Sequence, residues 1–186
     1  MSKLKLQMQV TIDGFDPSGA NADVSMEDVR VYSSDLLDTA DTIVIGRKMA
    51  EPGFISYWDK KAGITDDLWQ GVAQRIASAQ KVIFSKTLKT CDWRNTKVEN
   101  GDLVTAVERL KKTGKKDIIV YGGVSFVASL VKEHLIDEFH LFVNPVIRGM
   151  GASIFSGLEQ PQNLKLVKSL AYNNSGLVLL HYELRQ

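Results

Sequence analysis

The sequence predicts a single α/β domain built around a mixed, mostly parallel β-sheet. Short apolar runs alternate with segments of helical periodicity through most of the chain, an order that favours parallel strands joined by right-handed helical crossovers. Two further apolar segments, at 164–167 and 177–182, are joined by a polar turn at 173–176, which predicts a C-terminal antiparallel hairpin. Because no linker, repeat or low-complexity segment interrupts this order, we treat residues 1–186 as one domain.

The first three elements follow from hydrophobic spacing. Apolar side chains occupy alternate positions over 4–12, the period-two pattern of a half-buried strand, and Asp13-Gly14 ends it. A helix is predicted over about 26–37, with two acidic residues near its positively charged first turn. The continuous apolar run at 42–45 is typical of a strand buried on both faces.

The remaining elements alternate between helices and short buried strands. Leu68, Val72 and Ile76 recur four apart on one helical face. The segment at 51–63, which contains proline, glycine and three aromatic residues, is predicted as irregular. Further along, the pattern predicts a strand at 81–84, a helix at 103–114, a strand at 117–121, a helix at 124–135 and a strand at 138–146.

The composition excludes several functional classes. With 23 basic and 22 acidic residues the formal charge is +1, so neither a basic nucleic-acid face nor a membrane-surface helix is predicted. No apolar run approaches the roughly 18 residues of a membrane span, and the first residues lack the apolar stretch of a secretory signal. The single cysteine, Cys91, cannot form an internal disulfide or a multi-cysteine zinc site, and the three histidines are not spaced as metal ligands. We therefore expect a cytoplasmic protein without a metal centre, a nucleic-acid partner or a membrane partner.

Three of the predicted strands end in residues that suit a phosphorylated ligand. Ligands of open α/β sheets bind at the carboxyl ends of strands. These ends carry Gly46-Arg47-Lys48, Ser85-Lys86-Thr87 and Gly122-Gly123-Val124-Ser125. The glycine pair leads into a helix, whose free N–H groups and dipole can bind a pyrophosphate. Arg47 and Lys86 suit an additional phosphate, such as the 2′-phosphate of NADPH.

Each of these signals also has a plainer interpretation. A glycine pair after a strand is often only a turn, and cations near a strand end are usually solvated. The sequence carries neither G-x-G-x-x-G nor G-x-x-x-x-G-K-[ST], so the usual Rossmann fingerprint and the P-loop are excluded. No single segment identifies a dinucleotide site. The three together do indicate one, because each directly follows a predicted strand.

Several blocks of the sequence carry a more specific signal. They are Thr11–Gly14, Ala40–Lys48 with Glu51, Tyr57-Trp58, Lys81–Leu88, Tyr121–Gly123 through Leu135–Glu138, Asn144–Ile147, Gly149–Gly151 and Phe155. With these residues in this order, the chain resembles the dihydrofolate reductase-like superfamily. The resemblance is closest to the C-terminal reductase domain of the bifunctional deaminase-reductase of riboflavin biosynthesis and to its free-standing bacterial relatives. It covers most of the chain.

The resemblance implies a three-layer α/β/α fold with NADPH lying across the strand ends. The implied cofactor contacts are Gly46, Arg47 and Lys48 at the adenosine end, Ser85, Lys86 and Thr87 at the 2′-phosphate, Gly122, Gly123, Val124 and Ser125 at the pyrophosphate, and Thr11 and Gly14 beside the nicotinamide and substrate. Relatives of this type are commonly homodimers, so we expect a homodimer here.

The chain departs from the family pattern at several positions. Met49 and Ala50 follow the Gly-Arg-Lys triplet where the family usually has threonine and an aromatic residue. Arg30 falls near the helix position at which dihydrofolate reductase has a pterin-binding carboxylate, which argues against dihydrofolate as the substrate. Gln7 replaces a lysine that is usual in the riboflavin enzymes. The H-x-E and P-C-x-x-C motifs of the deaminase half are absent, so we expect only a reductase step.

These observations predict an NADPH-dependent oxidoreductase that resembles 5-amino-6-(5-phosphoribosylamino)uracil reductase and transfers hydride to a pyrimidine-type substrate. Asp13 is the candidate proton donor, although Asp13-Gly14 also suits a plain turn. Tyr32, Asp35 and Trp58 are the candidate substrate contacts. The alternatives are a dihydrofolate reductase-like pterin reductase, a non-catalytic NADPH-binding protein, and an interaction module that dimerises through the strand at 139–146.

Overall fold

The structure, a computed structural model, describes residues 1–18 and 26–185. Within these residues the chain forms one eight-stranded sheet with helices on both faces. The strands are β1 (Leu4–Thr11), β2 (Ala40–Gly46), β3 (Gln80–Phe84), β4 (Thr96–Glu99), β5 (Asp117–Gly122), β6 (Glu138–Asn144), β7 (Leu164–Tyr172) and β8 (Leu177–Leu184). The helices are α1 (Met26–Asp38), α2 (Arg47–Met49), α3 (Ile55–Ala62), α4 (Gln70–Ser78), α5 (Leu103–Thr113) and α6 (Val124–Lys132), with a π-helical turn at Ala50–Phe54 between α2 and α3.

The sheet is mixed and mostly parallel, as predicted. Its strand order is β4-β3-β2-β5-β1-β6-β8-β7. The first six strands pair in parallel. The last two form the antiparallel hairpin, in which β8 pairs with both β6 and β7. The predicted fold class is therefore confirmed.

Two elements differ from the sequence-based prediction. No strand was predicted at 96–99, but β4 forms there as the edge strand beside β3. Its side chains are half-buried or exposed, so it lacks the apolar run that identifies a buried strand. The segment at 51–63 was predicted as irregular, yet it continues α2 through the π-helical turn into α3. The helical path is kinked at Gly53, which adopts φ +120°, outside the helical region.

The strands separate two cores, because successive side chains of a strand point to opposite faces. On one side, Val44 packs in a core with Val107 of α5 and Val127 of α6, and we call this side the α5–α6 face. On the other side, Ile43 packs in a core with Ile76 of α4, beneath α1, α3 and α4, and we call this the α1–α4 face. The three-layer α/β/α arrangement follows. None of the helices in the described part of the chain is both long and apolar enough to cross a bilayer.

Candidate functional site

Four of the predicted binding segments converge at one edge of the sheet. Strands β3, β2, β5 and β1 are consecutive, parallel neighbours, so their carboxyl ends lie side by side. This edge, which we call the strand-end edge, carries Ser85–Thr87 after β3, Gly46–Lys48 at β2, Gly122–Ser125 at β5 and Thr11–Gly14 at β1. The fold thus brings together segments that lie far apart in the sequence.

The turn from β5 into α6 presents bare backbone at this edge. Gly122 adopts φ +133°, a conformation that favours glycine, and its peptide bond to Gly123 is cis. A Cβ on Gly122 would lie 3.3 Å from the sulfur of Met49, the residue at which the chain departs from the family pattern. Gly123 precedes the first turn of α6, which no side chain caps. The N–H groups of Val124 and Ser125 are therefore free to bind an anion at the positive end of the helix.

Gly46 has a packing role that does not depend on a ligand. A Cβ at this position would lie 2.7 Å from Cβ of Phe126 on α6, so only glycine allows β2 and α6 to approach this closely. The next residue, Arg47, is half-buried and forms an ion pair with Glu51 at 2.5 Å. Lys48 is exposed. Binding of an anion by Arg47 would therefore compete with its contact to Glu51.

The turn after β3 is held by its serine. Ser85 Oγ accepts hydrogen bonds from the N–H groups of Thr87 at 3.1 Å and Leu88 at 2.8 Å. Asn100 supports the same turn, since its amide nitrogen donates to the carbonyl oxygen of Ser85 at 2.6 Å. Lys86 and Thr87 are exposed on this turn. The geometry therefore fixes the backbone around Lys86 while leaving its ammonium group in solvent.

A cavity of 220 Å³ opens beside this turn on the α5–α6 face. It is lined by Phe84, Ser85, Lys86, Glu99, Gly101, Leu103, Phe126 and Ser129. The rings of Phe84 and Phe126 stack with centroids 5.2 Å apart, which gives the cavity an aromatic wall. Ser129 lies one helical turn after Ser125, so the cavity adjoins the same face of α6 as the uncapped first turn.

Asp13 anchors the loop that follows β6. Its carboxylate accepts hydrogen bonds from the Thr11 hydroxyl at 2.6 Å and from the N–H groups of Arg148 and Gly149 at 3.1 and 2.7 Å. These donors, the Thr11 hydroxyl foremost, lower the pKa of Asp13 to about 2. The carboxylate is therefore ionised at neutral pH and has no proton to donate. The predicted catalytic role of Asp13 stays a prediction, to which the geometry adds an anchoring role; the adjacent Gly14 makes the turn with φ +82°.

The three candidate substrate contacts lie in different environments. The Tyr32 hydroxyl is 2.8 Å from Nδ1 of His140, and burial raises the pKa of Tyr32 to about 12, so it keeps its proton. Trp58 is half-buried and packs against Trp69, with ring centroids 5.8 Å apart. Asp35 is exposed near the end of α1, which runs away from the strand-end edge towards the start of β2. The structure does not bring Asp35 to this edge.

Two of the three histidines, which are not spaced as metal ligands in the sequence, belong to an ionic network on the α1–α4 face. Oε2 of Glu138 lies 3.3 Å from Nε2 of His140 and 3.5 Å from Nε2 of His181. Lys3 and Lys5 also approach this carboxylate, at 2.6 and 3.7 Å. Burial opposes ionisation, but the hydrogen bonds from His140 and Lys3 hold the pKa of Glu138 well below its usual range. Lys3 also pairs with Glu183 at 3.2 Å and Lys5 with Asp117 at 2.7 Å, so the network is an ion-pair cluster that joins β1, β5, β6 and β8.

Sequence reasoning missed several residues at the strand-end edge. Glu99 was overlooked because β4 was not predicted. Ser129 follows Ser125 at helical spacing, a signal that could have identified it. The hydroxyl of Tyr121, immediately before Gly122, is buried without a hydrogen-bond partner among the described residues. The sequence contains no pattern from which this missing partner could have been predicted.

The chain resembles known proteins along most of its length. The family model described as "RibD C-terminal domain" matches residues 2–178. The protein YyaP of Bacillus subtilis (strain 168), described as uncharacterized, is 31% identical over 188 residues, which span 97% of this chain and 94% of YyaP.

Solved structures share the fold at low sequence identity. A putative riboflavin biosynthesis protein from Shewanella sp. PV-4 superposes with a TM-score of 0.70 at 20% identity, and the match covers 100% of both chains. A diaminohydroxyphosphoribosylaminopyrimidine deaminase/5-amino-6-(5-phosphoribosylamino)uracil reductase from Thermotoga maritima has a TM-score of 0.65 at 15% identity. That match covers 99% of this chain and 57% of the Thermotoga chain.

Proposed function

The chain belongs to the RibD C-terminal domain family, and from this premise we propose that it is an NADPH-dependent reductase. The proposed substrate is a pyrimidine of the kind named for the Thermotoga maritima protein, 5-amino-6-(5-phosphoribosylamino)uracil. The main support for this proposal is that four parallel strands end side by side at one edge of the sheet, where α6 begins without a side-chain cap. Open α/β sheets bind nucleotides at such an edge.

The residues of the strand-end edge fit a dinucleotide. Gly122 and Gly123 leave room for a pyrophosphate to approach the N–H groups that begin α6. The cavity beside Lys86 has a volume of 220 Å³. Pockets for whole drug-sized ligands have volumes of about 300–1,000 Å³, so this cavity suits one end of a dinucleotide. Its aromatic wall suits an adenine, and the ammonium group of Lys86 suits the 2′-phosphate of NADPH.

The chain's own residues orient the reactants and fix the surrounding loops. When bound, the nicotinamide would supply a hydride to the substrate carbon. Thr11 and Asp13 tie the end of β1 to the loop at 148–149, and this contact holds the backbone next to the proposed nicotinamide position. Asp13 is ionised and Tyr32 is protonated at neutral pH. We therefore propose that Asp13 positions this loop as a carboxylate; to act as the predicted proton donor it would first have to take up a proton.

We also propose that the protein acts as a cytoplasmic homodimer. The strand β7 forms the outer edge of the sheet next to β8. Leu166 and Val167 on this strand are 51% and 47% exposed. An exposed edge strand with apolar side chains is a ready surface for pairing with a second copy.

The cofactor proposal is tested by titrating the protein with NADPH and with NADH while following tryptophan fluorescence. We expect saturable binding of NADPH. A charged hydrogen bond contributes about 1.5 kcal/mol or more, so Lys86→Ala should weaken NADPH binding about tenfold while leaving NADH binding nearly unchanged. The matched control is Lys89→Ala, which removes an exposed lysine from the same segment that does not line the cavity.

Turnover is tested separately from binding. Oxidation of NADPH, followed by its absorbance, should depend on addition of the phosphoribosylaminopyrimidine, and dihydrofolate should not replace this substrate. Binding without turnover of either substrate would favour a non-catalytic relative. Absence of binding by both dinucleotides, with and without the pyrimidine, would contradict the proposed function.

A further inference from the structure

The cavity beside Lys86 contains a carboxylate. Glu99 is the last residue of β4 and pairs in register with Phe84, the last residue of β3. Glu99 lines the cavity together with Ser85 and Lys86. An acidic and a basic residue therefore border the same small space, which the proposed function assigns to the adenosine end of the dinucleotide.

Glu99 is held in its ionised form. Its Oε1 accepts the N–H of Gly101 at 2.8 Å, and its Oε2 accepts a hydrogen bond from the guanidinium group of Arg109. The Gly101 N–H, and after it the Arg109 contact, hold the pKa of Glu99 below its usual value. Arg109 is not among the residues that line the cavity, whereas Gly101, whose N–H binds the carboxylate, is one of them.

A carboxylate at this place distinguishes the two nicotinamide dinucleotides. An ionised carboxylate only accepts hydrogen bonds, so it can bind a ribose hydroxyl group but repels a phosphate. An acidic residue that accepts from the ribose 2′-hydroxyl is the device by which other dinucleotide folds select NADH. Lys86 has the opposite preference, because its ammonium group attracts the 2′-phosphate.

We propose that Glu99 is a specificity-determining residue, which accepts a hydrogen bond from the adenosine ribose and opposes the 2′-phosphate. This inference rests on the proposed function, because it assumes that the cavity holds the adenosine end of the cofactor. Lys86 and Glu99 act against each other, so the protein binds NADPH only modestly better than NADH. The two contacts that hold the carboxylate orient it and keep it ionised.

The experiment compares the dissociation constants of NADPH and NADH for the intact protein and for Glu99→Gln. The variant keeps the shape of the side chain but removes its charge. We expect the wild-type protein to prefer NADPH by less than about tenfold, a difference below about 1.4 kcal/mol. Glu99→Gln should tighten NADPH binding and weaken NADH binding, so that the preference rises about tenfold. Glu108→Gln is the matched control, because it makes the same change of side chain on α5, next to Arg109, at a residue that lines a different cavity.

A second variant tests the same proposal without changing Glu99. Arg109→Gln leaves the carboxylate charged but removes its cationic partner, so NADPH binding should weaken more than NADH binding. If Glu99→Gln changes both affinities equally, or weakens NADPH binding selectively, the proposal is overturned. The second result would mean that Glu99 orients Arg109 towards the phosphate. Failure of the wild-type protein to bind either dinucleotide would instead reject the proposed function.

Discussion

A buried lysine joins α4 to the strand that leads to the candidate cofactor site, and its removal offers a quantitative test of the fold. The side chain of Lys81, at the start of β3, is 0% exposed. Its ammonium group donates to the carbonyl oxygens of Ile76, Ala77 and Ala79, each at 3.1 Å. All three N–H donors of the ammonium group are therefore used. The perturbation is Lys81→Met, which keeps an unbranched apolar stem but removes the donors and the charge.

The expected loss follows from the carbonyl groups that remain. Ala77 keeps a donor, because the amide nitrogen of Asn95 lies 3.2 Å from its oxygen. The oxygens of Ile76 and Ala79 lose their contact with Lys81, and a buried acceptor left without a partner costs about 1–3 kcal/mol. Burial lowers the pKa of Lys81, so removing its charge recovers part of this loss. We expect a net loss of about 3 kcal/mol in the free energy of unfolding, which for a chain of this size corresponds to a Tm lower by about 6–12 °C.

The assay is urea unfolding followed by circular dichroism and tryptophan fluorescence, with a thermal scan. Lys116→Met is the matched control, because the Lys116 ammonium group also donates to a carbonyl oxygen, that of Asp38 at 3.0 Å, but in an exposed setting. The control should lose less than about 0.5 kcal/mol. If Lys81→Met is as stable as the wild-type protein, the three hydrogen bonds do no more than offset the cost of burying the charge, and our reasoning is refuted.

Three other substitutions test the contacts around the sheet. The pKa of Asp13 is about 2 in the folded protein and about 4 in an unfolded chain. Its ionised carboxylate therefore stabilises the fold above pH 4, and this stabilisation is lost as the pH falls towards 2. Asp13→Asn should remove this pH dependence from acid unfolding curves. Gly46→Ala should lower the free energy of unfolding in urea by about 1–3 kcal/mol, because the new Cβ would lie 2.7 Å from Cβ of Phe126. An unchanged urea midpoint would show that α6 can move away from β2. Glu138→Gln should lower stability by about 1.5–3 kcal/mol in thermal and urea unfolding, because the buried Lys5 and His140 lose a carboxylate partner, whereas the exposed Lys3 keeps Glu183. Equal stability would contradict the structural role of the network.

Local patterns were sufficient for most of the fold. The alternating apolar residues of β1 and the continuous apolar run of β2 identify strands because side-chain burial has a period that can be counted in the sequence. The same reasoning failed at β4, where an edge strand buries little on either face and needs no apolar run. It also failed at 51–63, because a proline and a glycine suggested a loop where the chain forms a π-helical turn and then α3.

The candidate site was predictable only in part. The glycine pair before α6 and the cations after β2 and β3 were identified because they follow strands, and strand ends are where ligands of such sheets bind. The anchoring of Asp13 by Arg148 and Gly149 could not be predicted, because the partners lie at the other end of the chain. Glu99 was missed for a different reason: it ends β4, an edge strand whose half-buried pattern gives no strand signal.

The sequence by itself determined the order of most helices and strands, the fold class, the family resemblance and the segments that end the central strands. These properties depend on neighbours within one turn or one strand, so their periodicity and capping residues are present in the sequence. Only the tertiary structure decided which strand ends meet, that Asp13 anchors the loop at 148–149, and that Glu99 and Lys86 line one cavity. These properties depend on distances between residues far apart in the chain, which are set by strand order and by packing of the helices against the sheet.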